Sequence, residues 1–216
     1  MIIPPGVSIV TTTWNERENI EKLIPAIRNV LKQVHHEIIV VDDSSSDGTI
    51  QIASRLADVA ITKTREGQTK GLLHGMQLAK YPLIITIDAD MENDPAHIPT
   101  LIQQTTKYDI IVASRTKLPR ISEKIASKTL GKLLGITDTL SNFRAFKKET
   151  IPKFNLRGGE TFGGEFLVIA KRSGLKIGEI MYKPPPRRRN PRIGGKTKAN
   201  LRIFWASIKS LILYLV

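Results

Sequence analysis

Short apolar runs alternate with amphipathic segments through the first half of the chain. Five runs rich in Ile, Val and Thr have the length and composition of strands buried on both faces. They cover residues 7–13, 37–43, 58–62, 83–88 and 109–114. Between them lie helical periods, the clearest being Ile20, Leu23, Ile24, Ile27, Val30 and Leu31.

Two prolines refine the predicted helices. Pro25 interrupts the first helical period, so a kink is expected there. Asp94 followed by Pro95 is a helix start, because the carboxylate caps free N–H groups and proline suits the first turn. The repeated strand–helix–strand order predicts an α/β fold with a mostly parallel central sheet flanked by helices.

Two acidic clusters follow predicted strands, "DDSSSDGT" at 42–49 and "DADME" at 88–92. Ligands bind at the carboxyl ends of the strands in such sheets, so both clusters are expected at the ligand-binding edge. In an extended segment residues two apart point to the same side, which would let Asp88, Asp90 and Glu92 converge. Such oxygen ligands suit Mg²⁺ or Mn²⁺. The alternative is a solvated acidic turn before the helix that begins at Pro95.

The first acidic cluster has two interpretations. Asp42 and Asp43 are placed to accept hydrogen bonds from the ribose or base of a nucleotide, whereas Asp47 and Gly48 also suit a tight turn without function. Neither the G-x-G-x-x-G nor the G-x-x-x-x-G-K-[ST] phosphate loop is present. A phosphate-bearing nucleotide would therefore be held through a metal ion.

Charge and composition limit the cellular compartment and the class of binding partner that are expected for this chain. The 216 residues include 33 Lys and Arg against 20 Asp and Glu, a net charge of +13, and no cysteine. Disulfides and thiolate metal sites are excluded, and a reducing, cytoplasmic compartment is expected. The basic excess favours an anionic partner, the alternative being an indifferent basic surface. No secretory signal is expected at the N-terminus, and no apolar run is long enough to cross a membrane.

Five motifs in order carry a family resemblance: "VSIVTTTWNERENI" from Val7, "VVDDSSSDGT" from Val40, "IDADME" from Ile87, "ASR" at 113–115 and "DTLSNFRAF" at 138–146. Together they resemble the family-2 inverting glycosyltransferases with the GT-A fold, over roughly residues 6–200. Within that family the pattern is most similar to the polyprenyl (dolichyl) phosphate mannosyltransferases and their glucosyl relatives.

The resemblance implies site residues for the nucleotide-sugar donor. It assigns donor-nucleotide binding to Thr11, Thr13, Glu16, Asp43, Ser45, Asp88 and Ala89. It assigns a divalent metal, Mg²⁺ or Mn²⁺, to Asp88, Asp90 and Glu92. Glu92 stands where the subfamily usually has Gln, which keeps an oxygen ligand and adds a negative charge.

The resemblance also implies an acceptor-phosphate site at Arg115, Ser141 and Arg144, with Asp90, Arg115 and Arg144 as catalytic residues. Guanidinium groups pair with phosphate in bidentate fashion, although each arginine has the alternative of an ordinary salt bridge. Asn142 replaces the glycine of the usual "SGFRA".

Three segments are predicted: a GT-A domain at 1–182, a basic mobile loop at 183–198 and an amphipathic helix at 199–216. In the loop, Arg192 and Lys196 are expected to contact the donor diphosphate or lipid phosphate, the alternative being a nonspecific tether to lipid. The C-terminal helix and the Lys-rich apolar stretch at 121–136 are expected at a membrane interface, the alternative being packing on the domain core or a subunit.

The resulting hypothesis is an inverting, metal-dependent transfer of mannose from GDP-mannose to dolichyl (polyprenyl) phosphate by a peripheral protein at the cytoplasmic membrane face. A phosphate monoester is largely dianionic at neutral pH and needs little help from a base. Three alternatives stay open: glucosyl transfer from UDP-glucose, a sugar hydroxyl acceptor, and a noncatalytic nucleic-acid binder. The last is disfavoured because the basic loop lacks interleaved aromatics. A membrane partner subunit is also left open.

Overall fold

The computed structural model describes residues 5–153, 162–185, 204–205, 208–210 and 212. Seven strands form one sheet: β1 Val7–Thr13, β2 His36–Asp42, β3 Val59–Thr62, β4 Leu83–Thr86, β5 Ile110–Arg115, β6 Arg144–Lys147 and β7 Ile177–Tyr182. Their spatial order is β3-β2-β1-β4-β6-β5-β7. Every neighbouring pair is parallel except the two pairs that contain β6.

Helices cover both faces of the sheet. They are α1 Arg17–Val30, α2 Thr49–Leu56, α3 Gln68–Leu78, α4 Ile98–Gln104, α5 Ile121–Ala126, α6 Lys132–Leu134 and α7 Phe162–Arg172. A π-helical turn, Ser127–Gly131, joins α5 to α6, and 3-10 turns occupy Pro95–His97 and Lys148–Lys153.

The buried strands contribute alternate residues to two hydrophobic cores, one on each face of the sheet, because successive side chains of a strand point to opposite faces. On β1, Ile9 belongs to the core that contains residues of α1, α2 and α4, while Val10 belongs to the core that contains residues of α3, α6 and α7. The same division separates Ile85 from Ile84 on β4. Strands buried on both faces account for the continuous apolar runs in the sequence.

All five predicted strands are present. The fourth is shorter than expected, since β4 ends at Thr86 rather than at residue 88. Pro25 lies within α1, which continues past it to Val30. The predicted cap is confirmed, because the carboxylate of Asp94 accepts a hydrogen bond from the amide N–H of Ala96 at 2.9 Å. The antiparallel β6 and the edge strand β7 were not predicted.

The topology brings several chain segments to one edge of the sheet. Strands β1, β2, β4 and β5 run parallel and end there, and the antiparallel β6 begins there at Arg144. Both acidic clusters and the acceptor motif therefore share this carboxyl edge. The two faces of the sheet are sealed by helices, so this edge is where loops meet solvent.

Residues 186–200, which include most of the predicted basic loop, lie outside the described residues. Phe204 and Trp205 in the C-terminal segment have helical backbone and exposed side chains. Ser210 is buried, and a β-carbon added to Gly164 of α7 would lie 2.8 Å from its hydroxyl. Among the described residues, no helix combines the length and apolarity that a membrane span requires. The three-segment division stays a prediction.

Helix α3 lies unusually close to the sheet. A β-carbon added to Gly75 would lie 2.4 Å from Cγ1 of Val10 and 3.2 Å from Cγ2 of Val41. These distances leave no room for a side chain, so glycine is required by packing although it lowers helix propensity. The close approach places the N-terminus of α3, at Gln68, beside the carboxyl edge.

We therefore expect Gly75→Ala to destabilise the protein by about 1–3 kcal/mol, because the added methyl group overpacks the contact with Val10. In an uncrowded helix the same change would stabilise by up to about 1 kcal/mol. Urea unfolding measures the effect, with the exposed Gln77→Ala of the same helix as a control expected within about 0.5 kcal/mol of wild type. Equal stability of Gly75→Ala and wild type would contradict the packing argument.

Candidate active site

The segment after β4 turns instead of continuing as an extended chain. Ala89 and Asp90 lie in a turn, and Met91 has a positive φ of 62°. Residues two apart no longer point to the same side in such a turn. Across the ranges that the structure describes, no three Asp, Glu, His or Cys side chains form a group able to hold a metal ion. The extended geometry expected to bring Asp88, Asp90 and Glu92 together is therefore wrong, although their assignment as metal ligands stays a prediction.

Amide side chains from three separate segments converge on Asp88. Its Oδ1 accepts hydrogen bonds from Nε2 of Gln68 at 2.6 Å and from Nδ2 of Asn142 at 3.3 Å. Its Oδ2 accepts one from Nδ2 of Asn93 at 3.4 Å. Burial raises the pKa of Asp88, while these three amides and the charge of Arg115 act in the opposite direction.

Asp90 is the solvent-facing carboxylate of the cluster. Desolvation by the surrounding protein raises its pKa to about 7, and the negative charges of Asp88, Glu92 and Glu16 add to the effect. Its Oδ1 accepts a hydrogen bond from the backbone N–H of Glu92 at 3.0 Å. The crowding of carboxylates creates a negative potential that a cation would relieve.

The donor set fits a divalent ion shared with a ligand. Mg²⁺ typically binds through one or two carboxylates together with substrate phosphates rather than in an all-protein cage. Asp90 is exposed, and Asp88 keeps acceptor capacity on Oδ2, which receives one hydrogen bond. Two carboxylates within electrostatic range, one of them open to solvent, match that requirement.

The predicted nucleotide residues surround the end of β1. Thr11 and Thr13 are buried, and the Thr13 hydroxyl donates to Oδ1 of Asp42 at 2.9 Å. Ser45 donates to the same carboxylate through its backbone N–H at 2.8 Å, and its hydroxyl accepts from the N–H of Asn15 at 2.8 Å. Asp42 thus links the end of β1 to the first acidic cluster, and Thr11 and Thr13 do not expose their side chains.

Two further predicted donor residues flank the Asp90 carboxylate. Ala89 is buried in the core under the turn. The carboxylate of Glu16 accepts a hydrogen bond from Nδ2 of Asn19 at 2.6 Å and lies close enough to raise the pKa of Asp90. Glu16 therefore belongs to the acidic edge, on the side where a nucleotide was predicted.

Asp43 holds a loop of its own chain. Its carboxylate forms an ion pair with Lys63 and accepts backbone N–H groups from Glu66 and Gly67, each at 3.1 Å. The loop places the guanidinium of Arg65 over the ring of Trp14, 3.5 Å from its centroid. Direct contact of Asp43 with a base or ribose stays a prediction, and it would compete with these three donors.

Arg115 ends β5 inside a carboxylate cluster. Its Nε donates to Oδ2 of Asp138 at 2.6 Å and its Nη2 to Oδ1 at 3.2 Å, while Glu123 lies 3.6 Å from Nη2. Burial acts to lower the pKa of Arg115, but the hydrogen bonds and charge of Asp138 outweigh it and raise the pKa above its usual value. The guanidinium is fixed in orientation and stays charged.

Arg144 differs from the expected phosphate ligand. Its side chain is 0% exposed, and its guanidinium donates to the carbonyls of Thr139 and Gly163, each at 2.9 Å. Burial lowers its pKa to about 9, which still leaves it charged at neutral pH. In this structure Arg144 links the acceptor segment to α7 and is shielded from solvent, and its role at the acceptor phosphate stays a prediction.

The other residues predicted to bind the acceptor phosphate are Ser141, Arg192 and Lys196. Ser141 is 6% exposed, and its hydroxyl accepts the N–H of Phe143 at 3.2 Å. Arg192 and Lys196 lie outside the described residues, so their roles stay predictions. Of the predicted acceptor residues within the described ranges, only Arg115 combines a fixed guanidinium with partial exposure, its side chain being 14% accessible.

Sequence reasoning missed the residues that hold Asp88 and Arg115 in place. Gln68, Asn93 and Asn142 orient Asp88, and Asp138 orients Arg115. The hydroxyl of Tyr182 donates to Oδ1 of Asn93 at 2.5 Å, which fixes that amide in turn. Asp138 and Asn142 lie in a quoted motif, and Asn93 lies close to Asp88 in the chain, whereas Gln68 carried no spacing signal because it contacts Asp88 from a separate segment.

A model of one protein family, described as "Glycosyl transferase family 2", matches residues 8–175, which cover the elements from β1, apart from its first residue, to α7. The chain belongs to glycosyl transferase family 2. The glycosyltransferase sheet and its flanking helices are those of the GT-A fold, as the sequence resemblance implied.

Relatives of this family-2 glycosyltransferase include a dolichol-phosphate mannosyltransferase of Pyrococcus furiosus, 33% identical over 165 residues, covering 67% of this chain and 47% of the relative. An undecaprenyl-phosphate 4-deoxy-4-formamido-L-arabinose transferase of Pectobacterium carotovorum is 32% identical over 140 residues, covering 60% and 43%. The chain spans about half the length of the curated relatives that it matches.

Solved structures support the fold. Glucosyl-3-phosphoglycerate synthase of Mycobacterium tuberculosis, in complex with Mn²⁺, UDP and glucosyl-3-phosphoglycerate, has a TM-score of 0.79 at 19% identity, covering 95% of this chain and 79% of that one. Mannosyl-3-phosphoglycerate synthase of Rubrobacter xylanophilus has a TM-score of 0.77 at 15% identity, covering 97% and 74%. At these identities the likeness concerns the fold alone.

The raised pKa of Asp90 predicts a pH-dependent stability. Its folded value of about 7 exceeds the ordinary 3.8, so the folded state binds this proton more tightly than the unfolded state. The associated stability is present below about pH 4 and is lost as the pH rises towards 7. Without divalent ions, Asp90→Asn should therefore melt about 2 °C above wild type near pH 8 and match it near pH 4.

Differential scanning calorimetry at both pH values measures the difference. The exposed Glu21→Gln on α1 controls for general loss of one negative charge. An Asp90→Asn variant no more stable than wild type near pH 8 would contradict the raised pKa of Asp90 in the folded protein.

Proposed function

We propose that this glycosyltransferase transfers a mannosyl group, with inversion, from GDP-mannose to dolichyl (polyprenyl) phosphate at the cytoplasmic face of a membrane. One observation carries the proposal: a crowded carboxylate pair and a rigidly held arginine lie within electrostatic range at one sheet edge, since the charge of Arg115 lowers the pKa of Asp88. The first can serve a leaving diphosphate and the second an arriving phosphate.

The donor end is served by Asp88 and Asp90. A divalent ion bound there, Mg²⁺ or Mn²⁺, would neutralise negative charge on the leaving diphosphate as a Lewis acid. The protein contributes an Asp88 oriented by amides and a neighbouring Asp90, whose pKa is raised to about 7 by desolvation and by the nearby carboxylates. Support for the ion also comes from the Mycobacterium tuberculosis neighbour, which was crystallised with Mn²⁺ and UDP.

The acceptor end is served by Arg115. A phosphate monoester has a second pKa of about 6 and is mostly dianionic at neutral pH, so the reaction needs a cationic holder more than a base. The double hydrogen bond to Asp138 fixes the guanidinium plane. Its remaining N–H groups can pair with phosphate oxygens.

The names of two relatives favour a polyprenyl phosphate acceptor. The Pyrococcus furiosus relative is a dolichol-phosphate mannosyltransferase, and the Pectobacterium carotovorum relative is an undecaprenyl-phosphate transferase of a different sugar. The shared part of both names is the lipid phosphate. Mannose and GDP follow only the first relative, so glucosyl transfer from UDP-glucose is the nearest alternative within the same mechanism.

A sugar hydroxyl acceptor is the second candidate, and the Asp90 pKa favours it. A hydroxyl must lose its proton, and a base with a pKa of about 7 is well matched to that task at neutral pH. A divalent ion at Asp90 would instead keep the carboxylate ionised and occupied. The two candidates therefore differ in whether Asp90 holds a cation or accepts a proton.

Sugar transfer tests the proposal directly. Purified protein is incubated with membranes and labelled GDP-mannose or UDP-glucose, with Mn²⁺, Mg²⁺ or EDTA. We expect organic-soluble label from GDP-mannose, its loss in EDTA, and a fall of about 100-fold or more in Asp90→Ala, because transition-state charge on the diphosphate is no longer neutralised. The control Glu21→Gln should transfer at the wild-type rate.

Three results would contradict parts of this function. Full transfer by Asp90→Ala would contradict the metal-dependent mechanism. Label transferred from UDP-glucose but not from GDP-mannose would show that the donor is UDP-glucose. Label that stays water-soluble on an added sugar, with Asp90→Asn inactive even in excess Mn²⁺, would favour the hydroxyl acceptor.

The helix that follows Arg115 presents a surface suited to a bilayer. Ile121, Ile125 and Leu133 are exposed by 71%, 41% and 42%. Exposed lysines alternate with them, namely Lys124, Lys128 and Lys132. We call these six residues the α5–α6 face. Glu123 on the same helix contacts Arg115 at 3.6 Å, so the face adjoins the proposed acceptor site.

Binding to anionic vesicles measures the role of this face. Each lysine near an anionic surface contributes about 1 kcal/mol, so replacing all three with Gln should weaken binding about 100-fold on phosphatidylserine vesicles and little on phosphatidylcholine vesicles. The exposed Lys22, Lys32 and Lys107, replaced together, give a control of equal net charge. Equal losses in both triple variants would mean that no particular surface docks.

A further inference from the structure

Asn142 links the acceptor motif to the donor carboxylate. We propose that Asn142 is a positioning residue that fixes the Asp88 carboxylate for cation and diphosphate binding, an inference that rests on the proposed function. Its Nδ2 donates to Oδ1 of Asp88 at 3.3 Å, across 54 positions of sequence. Glycine at this position, the usual residue of the resembling motif, has no side chain to make that bond.

The main chain of Asn142 is held at the same place. The hydroxyl of Thr86, the last residue of β4, donates to the Asn142 carbonyl at 2.5 Å. Thr86 also pairs with Arg144 in the β4–β6 ladder. Both the backbone and the side chain of Asn142 are thus tied to the end of β4 and to the carboxylate two residues beyond it.

The resulting contacts orient one particular oxygen of Asp88. Asn142 and Gln68 both donate to Oδ1, which has two lone pairs and is therefore filled. Oδ2 receives the single, longer hydrogen bond from Asn93 at 3.4 Å. Oδ2 is consequently the oxygen with capacity for a cation, and the amides on Oδ1 set the direction in which it points.

Stability of the fold does not explain an asparagine here. Asn142 is 9% exposed, and among the described residues its Oδ1 has no hydrogen-bond partner. A buried acceptor without a partner costs free energy, so an apolar or absent side chain would suit the core better. The hydrogen bond from Nδ2 of Asn142 to Asp88 offsets this cost in free energy. Partners of metal-binding carboxylates commonly tune affinity by 10-fold to 100-fold.

Two measurements separate positioning from packing. Free Mn²⁺, followed by its electron paramagnetic resonance signal, gives the affinity of the ligand-free protein and of the protein with GDP. Asn142→Ala should weaken Mn²⁺ binding about tenfold in both conditions. The control Thr139→Val removes a buried hydroxyl of the same segment that lacks a partner among the described residues, and it should bind Mn²⁺ like wild type.

A double-mutant cycle tests the contact without any ligand. Urea unfolding of wild type, Asn142→Ala, Asp88→Asn and the double variant should show a coupling of about fivefold or more in the unfolding constant. If Asn142→Ala does not fold, Asn142→Gly replaces it in both measurements.

Mn²⁺ affinity of Asn142→Ala within twofold of wild type overturns the proposal, as does independence of the two residues in the cycle. Equal weakening by Thr139→Val would also overturn it, because general loosening of the segment would then suffice. Tenfold weaker Mn²⁺ binding with clear coupling supports it, even if wild type transfers no mannose, an outcome that overturns only the proposed function. Wild type that binds no Mn²⁺ overturns both.

Discussion

Everything at the carboxyl edge of the sheet depends on holding like charges close together. Asp90 lies beside Asp88, Glu92 and Glu16; desolvation by the surrounding protein raises its pKa to about 7, and repulsion from these three carboxylates adds to the effect. The amide side chains of Gln68, Asn93 and Asn142 donate hydrogen bonds to Asp88 and hold it beside the other carboxylates without adding charge. The arrangement leaves net negative potential unrelieved. A protein that neutralised its carboxylates with nearby lysines would have no such potential to offer a cation.

At the same edge, the positively charged Arg115 is held by residues of opposite charge. Arg115 is surrounded by Asp138 and Glu123, which keep it charged and fix its orientation. Arg144 is completely buried, and its guanidinium donates hydrogen bonds to the backbone carbonyls of Gly163 and Thr139. Two arginines that look equivalent in the sequence therefore differ in exposure and in hydrogen-bond partners. Arg115 is partly exposed and Arg144 is buried, and the phosphate-binding role of each stays a prediction.

Glu123 also connects this charged network to the α5–α6 face. The helix contains a π-helical turn at Ser127–Gly131, a feature that often accompanies functional sites. Membrane contact and acceptor-phosphate binding would thus occur on two sides of one helix. The proposed lipid acceptor unites them physically, because its phosphate lies at the surface of the bilayer in which its chain is buried.

The sequence by itself determined the α/β class, the five buried strands and the segments that meet at the ligand edge, because burial on both faces requires continuous apolar runs. It also identified the chain's family through ordered motifs. Only the tertiary structure decided how Asp88, Asp90 and Glu92 are arranged, since β4 ends early and the chain turns. The exposure of Arg115, the burial of Arg144 and the amide contacts of Asn142 were likewise decided there. These properties depend on partners from distant segments, and local spacing carries no information about such contacts.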